Sequence, residues 1–531
     1  MRHSRAPHVK NGCHAKIAPC SEHVTVPRSL RCIVRDKTTA EVYTNAPLSQ
    51  YGLQQGNRPR RASHKERATE PKRTDTPRPT PSAGRTAAEA GWHASRYNIG
   101  AIIPGSDNTA VVNLFRGTCC ECTPLEGFLL SALDELDEHH PIIERFARRG
   151  IICNFDERAA IEALGRAACA APHEVNLTIC PTMACNFACP YCFQEHGFDQ
   201  GKTSGGGQPC NAVMPADVQD DVVALAARML ETSRAKQLRV MWFGGEPLLA
   251  PAVIESLSAR LKDVAAAQGA SYHAKITTNG YLLDQHMADL LARASVESAT
   301  VTLDGVGSLH DETRHLANGG GTFDRIAENL RNPKLPFSVA IRHNVHAGNI
   351  DRAAELEEFV AQLARETGND LVYDQALVIG NPVADARGVD VGELDGIQAL
   401  SVGVRQEAQR FEPTRGRYCN ALSAFSVTID SQGRLYKCWE AAGKPEHAFG
   451  RAHDWDPEEP LSTAAGCDNF TRYLNMAAPV PDPECRECLW LPLCLGGCPM
   501  KRFQGRRVCV PFKDDPASFA LAVHARMKRE S

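Results

Sequence analysis

Long apolar runs are missing from this 531-residue chain. No stretch approaches the ~20 consecutive apolar residues that a bilayer-spanning helix needs. The first thirty residues hold no uninterrupted apolar core of the kind that directs secretion. Strong net charge is absent too: a formal charge of −4 gives no general electrostatic affinity for nucleic acid or phospholipid. Sustained periodicity is lacking across residues 1–95, which are rich in Arg, Lys, Pro, Ser and Thr, as in Pro71-Lys72-Arg73-Thr74-Asp75-Thr76-Pro77-Arg78-Pro79. Disorder is the expectation there. A nucleic-acid-binding arm is the competing reading, and it lacks the interleaved aromatics such arms use. Methionine is absent between Met1 and Met183, so a later start of translation would need a non-Met codon. These exclusions predict a cytoplasmic protein with neither a membrane nor a nucleic-acid partner.

Cysteine, by contrast, is abundant. The count is 21, an odd number, and in a reducing compartment clustered cysteines read as metal ligands or catalytic thiols rather than disulfides. The most informative cluster is Cys185-Asn186-Phe187-Ala188-Cys189-Pro190-Tyr191-Cys192, just after the apolar run Val175–Cys180. A tight loop with this spacing can turn three thiolates onto one iron–sulfur cube and leave the fourth iron without a protein ligand. An iron with an open position can act on a small molecule, whereas a four-cysteine site is closed. Cys13, Cys20 and Cys32 are irregularly spaced and receive no role. Cys119-Cys120-Glu121-Cys122 has no partner pair at ligand spacing and reads as spare thiols or a metal site.

Folded character begins near Tyr97. Tyr97–Ile103 and Ala110–Phe115 read as strands around a turn, and amphipathic helices follow at about Leu125–Asp137 and Pro141–Arg149, closed by Gly150. Ile151-Ile152-Cys153 and a helix over Glu157–Ala170 complete a small α+β module, 96–170. From Val175 the pattern alternates. Strands are expected at Val175–Cys180, Leu238–Phe243, His273–Thr278, Ala299–Leu303, Phe337–Asn344 and Leu371–Val378. Helices are expected near Ala216–Thr232, Ala252–Ala267, Gln285–Ala294, Phe323–Leu330 and Arg352–Glu366. Six β/α units imply a parallel sheet, whose chemistry gathers at the C-terminal strand ends. The cysteine loop, Gly244-Gly245-Glu246-Pro247, Thr277-Thr278-Asn279-Gly280 and Leu303-Asp304-Gly305 follow the first four strands, and Arg342 and Asn344 end the fifth. Gly201–Gln208 lacks the Gly-Lys-Ser/Thr ending of a phosphate loop and reads as a linker.

The cysteine loop with Tyr191 before its third cysteine, together with Gly244-Gly245-Glu246-Pro247, resembles the radical S-adenosylmethionine (SAM) superfamily, over roughly residues 172–510. The resemblance implies a partial (β/α)6 barrel over 171–400 and a [4Fe-4S] cluster on Cys185, Cys189 and Cys192. SAM would chelate the open iron through its amine and carboxylate. It further implies that Gly244, Gly245, Glu246 and Pro247 receive the SAM ammonium, the glycines because they let backbone approach a ligand, and that Tyr191 lies near the adenine. Asn279, Thr302 and Asn344 become candidates for holding ribose or carboxylate, and Arg314 and Arg342 for pairing with the carboxylate; strand-end capping or surface exposure is the competing reading for these five. The implied chemistry is one-electron cleavage of the sulfonium to a 5′-deoxyadenosyl radical that takes a hydrogen atom from an unactivated carbon. The electron would come from a low-potential donor such as a flavodoxin or ferredoxin.

Downstream, Cys419-x13-Gly433-x4-Cys438, Cys485-x2-Cys488-x5-Cys494-x3-Cys498 and Cys509 resemble the cysteine-rich SPASM extension, placed at 410–512 before a C-terminal tail helix, 513–531. The likeness implies two auxiliary iron–sulfur clusters, one on Cys419, Cys438 and Cys498, the other on Cys485, Cys488, Cys494 and Cys509. A fourth ligand for the first is lacking between the hairpin cysteines, which leaves an open iron, Cys467 or a substrate ligand. A zinc ribbon would explain Cys485-x2-Cys488 and the later pair alone. SPASM enzymes act mostly on peptides or proteins, and the small module resembles the peptide-engaging regions of peptide maturases; a cap over the sheet edge is its other reading. Maturation of a ribosomally made peptide by thioether or carbon–carbon crosslinking is the first expectation. Formylglycine formation in a sulfatase is the second. Sulfatase maturases place a basic aspartate after the second hairpin cysteine, where this chain has Trp439-Glu440. Asp304 and Glu440 are the candidate general bases, with a helix cap or an exposed carboxylate as the alternative for each. A non-catalytic electron carrier would have no use for an open-site loop beside Gly-Gly-Glu-Pro.

Overall fold

The computed structural model describes residues 85–170, 173–194, 212–331, 334–378, 402–404, 419–459, 467–476, 480 and 482–530. The disorder expected before residue 85, the three N-terminal cysteines and the Gly201–Gln208 linker lie outside them. The described residues begin at residue 85, inside the 1–95 segment expected to be disordered. Ala87 is fully buried, and β1 (His93–Ala94) pairs antiparallel with β5 (Ile152–Cys153).

The larger sheet of the N-terminal module carries one more strand than its sequence suggests. β2 (Asn98–Ile102), β3 (Thr109–Asn113) and β4 (Thr118–Cys122) form an antiparallel sheet in that order. Thr118-Cys119-Cys120-Glu121-Cys122 thus forms a strand. It has little strand propensity of its own, and pairing with β3 supplies the order. The first expected helix divides into Pro124–Ser131, started by a Thr123/Glu126 capping box, and a short 3-10 turn at Leu133–Glu135. Pro141–Arg149 ends as expected on Gly150, at φ 74°.

The main sheet holds nine strands in the order β11-β10-β9-β8-β7-β6-β12-β13-β14. Strands β6 (Glu174–Ile179), β7 (Gln237–Trp242), β8 (Ser271–Thr278), β9 (Val296–Thr302), β10 (Ser338–Val345) and β11 (Leu371–Leu377) are parallel neighbours in chain order. Crossover helices Ala216–Ser233, Pro251–Ala267, Gln285–Arg293, Phe323–Arg331 and Ala353–Thr367 stand between them, as the β/α alternation requires. Burial alternates strictly along β6, β7 and β10. One side chain in two (Val175, Leu177, Ile179; Leu238, Val240, Trp242) joins the helices in one apolar core. The intervening, mostly polar residues face the other side, the pattern of a sheet covered on one face. This is an α/β fold with a largely parallel sheet.

The cysteine-rich region is continuous with that sheet. β12 (Ser426–Ile429) lies parallel beside β6, in register Ser426 to Asn176 through Ile429 to Ile179. β13 (Arg434–Tyr436) and β14 (Gly450–Arg451) extend it antiparallel. The C-terminal helix Pro516–Glu530 is more than a tail. Phe519, Ala520 and Val523 are fully buried in one cluster with Tyr97, Ile99 and Val112 of the N-terminal module. No helix of the described residues is long and apolar enough to cross a membrane.

Candidate functional site

Beyond β6 the chain crosses the C-terminal end of the sheet as the cysteine loop, tied at both flanks. Phe243 N–H donates to Ile179 O at 2.9 Å, and Cys180 N–H to Ile429 O at 2.9 Å. Inside the loop, Phe187 is buried and meets Tyr281 edge-on at 5.9 Å. The segment after Arg314 backs the loop: Ala188 N–H donates to His315 O at 3.0 Å and Ala317 N–H to Asn186 O at 3.0 Å. Cys185, Cys189 and Cys192 are half-buried. Burial pushes the Cys189 thiol up to about 11 and raises Cys185 too, and the charges of the neighbouring loop cysteines act in the same direction. The three thiols therefore stand together on one loop in surroundings that favour the neutral form until a metal displaces the protons. Among the described residues, no three His, Cys, Asp or Glu side chains converge on one bare metal ion. A cube asks for something wider, one thiolate per iron.

Gly244-Gly245-Glu246-Pro247 lies against the same loop. A Cβ on Gly244, at φ 118°, would fall on Thr182 O, and one on Gly245 on Ala184 O. Their lack of side chains thus serves first a backbone-to-backbone approach, sealed by hydrogen bonds from Gly245 N–H to Thr182 O (3.2 Å) and Glu246 N–H to Ala184 O (2.8 Å). The buried Glu246 carboxylate turns the other way. It accepts from Leu248 N–H (3.0 Å), Thr278 Oγ1 (2.7 Å) and Asn279 N–H (2.7 Å), joining the second strand-end loop to the third. Burial pushes this carboxyl up from its usual range, opposed by the three donors. Pro247 opens a single 3-10 turn, Pro247–Leu249.

The polar rim residues also reach toward the cysteine loop. Tyr191 donates its hydroxyl to Asp304 and accepts from Arg314 Nη1 (2.8 Å) and Asn344 Nδ2 (3.2 Å). Asp304 is fully buried and receives Asn344 N–H (3.1 Å) and Thr313 Oγ1 (3.4 Å). It is therefore neither a helix cap nor an exposed carboxylate. Asn279 Nδ2 donates to Asn186 Oδ1 at 2.8 Å. Arg342 pairs instead with Asp374 across neighbouring strands at 2.7 Å, and Thr302 is its register partner on β9. His310, unremarked in the sequence, lies beneath: Asp304 N–H donates to its Nδ1 (3.2 Å) and its Nε2 meets Thr322 Oγ1 at 3.1 Å. The proton is thus on Nε2, and burial holds the ring neutral. Its only sequence signal was position, six residues after Asp304 at a strand end.

The later cysteines stand in two neighbourhoods. Burial raises Cys438 to about 12, with the charges of Cys419, Glu440 and Cys498 bearing on it. Tyr473 and Met500 pack into one cluster with Cys438. Cys467 begins the helix Cys467–Leu474. Cys485, Cys488, Cys494 and Cys509 line one pocket, partly open to solvent, with Trp490 and Arg507. Glu440 is bound to Lys501 Nζ at 2.6 Å, which removes it as a free base. Trp439, half-exposed, stacks on Phe243 at 5.6 Å, and Phe243 on Phe193 at 6.4 Å. This row links the residues next to Cys438, Gly244 and Cys192. No period in the sequence announced it.

Residues 179–346 match the family model described as the radical SAM superfamily. The chain is 25% identical over 336 residues to a serine-type anaerobic sulfatase-maturating enzyme of Klebsiella aerogenes, covering 60% of this chain and 77% of that one. It is 24% identical over 336 residues to the Klebsiella pneumoniae enzyme of the same description, covering 60% and 79%. Among solved structures, native anSMEcpe with bound AdoMet and Cp18Cys peptide aligns over 67% of this chain and 98% of its own, at 17% identity and a TM-score of 0.48.

Proposed function

With residues 179–346 belonging to the radical SAM superfamily, we propose that this radical SAM enzyme modifies a peptide or protein, by installing thioether or carbon–carbon crosslinks in a ribosomally made precursor peptide. The observation that carries the reading is the gathering of Cys185, Cys189 and Cys192 on one loop at the C-terminal end of a parallel sheet, with Gly244–Pro247 locked against it. A cube on those thiols with SAM bound supplies one-electron cleavage of a sulfonium and removal of a hydrogen atom from an unactivated carbon. The chain's own part is to fix the loop, close the glycine backbone beside it, and exclude water from the polar face of the sheet. Cys419, Cys438 and Cys498 would hold one auxiliary cluster, and Cys485, Cys488, Cys494 and Cys509 the other.

Peptide engagement is supported by the N-terminal module. Its sheet leaves β2 and β4 as edge strands among the described residues, able to accept an added strand. Leu125 and Phe128, 67% and 66% exposed, stand on the helix directly after β4. Crosslinking is favoured over formylglycine formation because Trp439 occupies the place of the sulfatase maturases' aspartate and Lys501 holds Glu440. The likeness to the Klebsiella enzymes favours the sulfatase reading. Anaerobically reconstituted protein, SAM and dithionite should yield 5′-deoxyadenosine. A short Cys-rich peptide encoded beside the gene should then lose hydrogen without gaining a carbonyl. An aldehyde in a sulfatase-derived peptide would decide for the second reading, and no 5′-deoxyadenosine at all would defeat both.

A further inference from the structure

We propose that Tyr191, Asp304 and Arg314 are positioning residues that clamp the cysteine loop and set the electrostatic field behind Cys189. The proposal rests on the presence of a cube on Cys185, Cys189 and Cys192. Tyr191 stands between the second and third cysteines, and its hydroxyl is the meeting point of a buried carboxylate and a buried guanidinium. Asp304 is 0% and Arg314 8% exposed. Both ions have left water, a cost recovered only through partners that fix them in place.

Asp304 is fixed from several directions at once: Asn344 N–H and Thr313 Oγ1 reach its carboxylate, Asn349 Nδ2 donates to its backbone oxygen at 3.0 Å, and its own N–H donates to His310. Arg314 lies over the ring of Phe187, 5.7 Å from its centroid, so one guanidinium touches the loop on both sides of Cys189. Thr322 donates to Arg314 O, and His310 to Thr322, so the arginine's backbone belongs to the same network. In a low-dielectric site a fixed cation beside a thiolate-bound cube favours the more reduced, more negative cluster, and a fixed anion opposes it.

Three variants separate the clamp from the charge. Asp304→Asn keeps the shape and removes the anion; Arg314→Gln removes the cation; Tyr191→Phe keeps the ring and removes the hydroxyl between them. The readouts are iron content, the EPR signal of the dithionite-reduced cluster and its midpoint potential by redox titration. Asp304→Asn should raise the potential and Arg314→Gln lower it. Tyr191→Phe should broaden the EPR signal and lower the kcat for 5′-deoxyadenosine about tenfold with the KM for SAM little changed, the usual effect of losing a partner that orients a metal ligand. Equal potentials in both charge variants, or shifts of the same sign, overturn the proposal. So does a Tyr191→Phe protein with the wild-type signal and kcat, which serves as the test if a charge variant fails to fold. Wild-type protein that assembles no such cube would defeat the proposed function itself, a distinguishable result.

Discussion

Glu246→Gln separates the two jobs that the Gly-Gly-Glu-Pro segment could do. The buried carboxylate accepts three hydrogen bonds, two at Oε1 and one at Oε2. A glutamine can leave its oxygen at the Oε1 position and keep Leu248 N–H and Thr278 Oγ1. Its NH2 then faces Asn279 N–H, donor against donor. Losing one hydrogen bond to a charged acceptor costs about 1.5–3 kcal/mol. A value of ~2 kcal/mol corresponds to roughly a 30-fold change in a local opening equilibrium. Hydrogen exchange followed by mass spectrometry on metal-free protein should therefore show the Asn279 amide exchanging about 30-fold faster. Residues 98–113, which make none of these bonds, should keep their protection. If Asn279 exchanges as in the wild type while SAM binding is lost, Glu246 works on the ligand directly and the structural account of it is wrong.

Gly245→Ala places a methyl on the Ala184 carbonyl, where only backbone can yield, so the variant should retain its helical circular dichroism but take up less iron at the loop; full iron content would refute the close-approach argument. Replacing Cys485 and Cys488 by Ser should speed exchange in residues 98–113, which share a core with that site, while SAM cleavage in the absence of peptide stays within about twofold of wild type, as for a site remote from the barrel mouth; unchanged exchange would refute the coupling. His310, held neutral by burial, binds fewer protons than its unfolded counterpart below a pH of about 6.5. Stability should therefore fall as pH drops below that value, and the urea midpoint of His310→Gln should fall less between about pH 7 and pH 5.5; equal falls would refute it.

The barrel strands were legible because alternation along each strand and amphipathic helices between them are local signals. β6 through β11 lie within three residues of the expected spans. β4 was not legible, since Thr-Cys-Cys-Glu-Cys becomes a strand only through pairing with β3. Nor was the parallel pairing of β12 with β6, between segments about 250 residues apart. At the site, residue types and positions were readable but side-chain directions were not. Asn279 and Asn344 stand at strand ends as expected, while Arg314 caps the short helix Ser308–Thr313. They point to the cysteine loop because Phe187 and Tyr191 bring that loop down onto them. Glu440 beside Cys438 was visible in the sequence, while Lys501, 61 residues on, was not.

The two groups of later cysteines occupy different mechanical positions, and that difference separates what each can do. The group around Cys438 reaches the barrel mouth directly: Trp439 stacks on Phe243, and Phe243 on Phe193, beside Cys192. A change of state there has a path of packed rings to the cysteine loop. Among the described residues, no such row of rings runs to the cysteine loop from the group around Cys485. Its neighbours are Trp490, Leu491 and Leu495, packed with Tyr97, Ile99, Val112 and Phe519 of the N-terminal sheet and C-terminal helix. Glu487, between two of its cysteines, pairs with Arg96 (3.0 Å) and Arg158, and Arg486 pairs with Glu162 (2.9 Å). Exposed ion pairs of this kind contribute about 0–1 kcal/mol each, too little to dock a module alone. The shared apolar core, and the order that four bound thiolates would impose on a loop-rich segment, must supply the rest. The second group is thus placed to hold the N-terminal module, and the first to communicate with the cysteine loop.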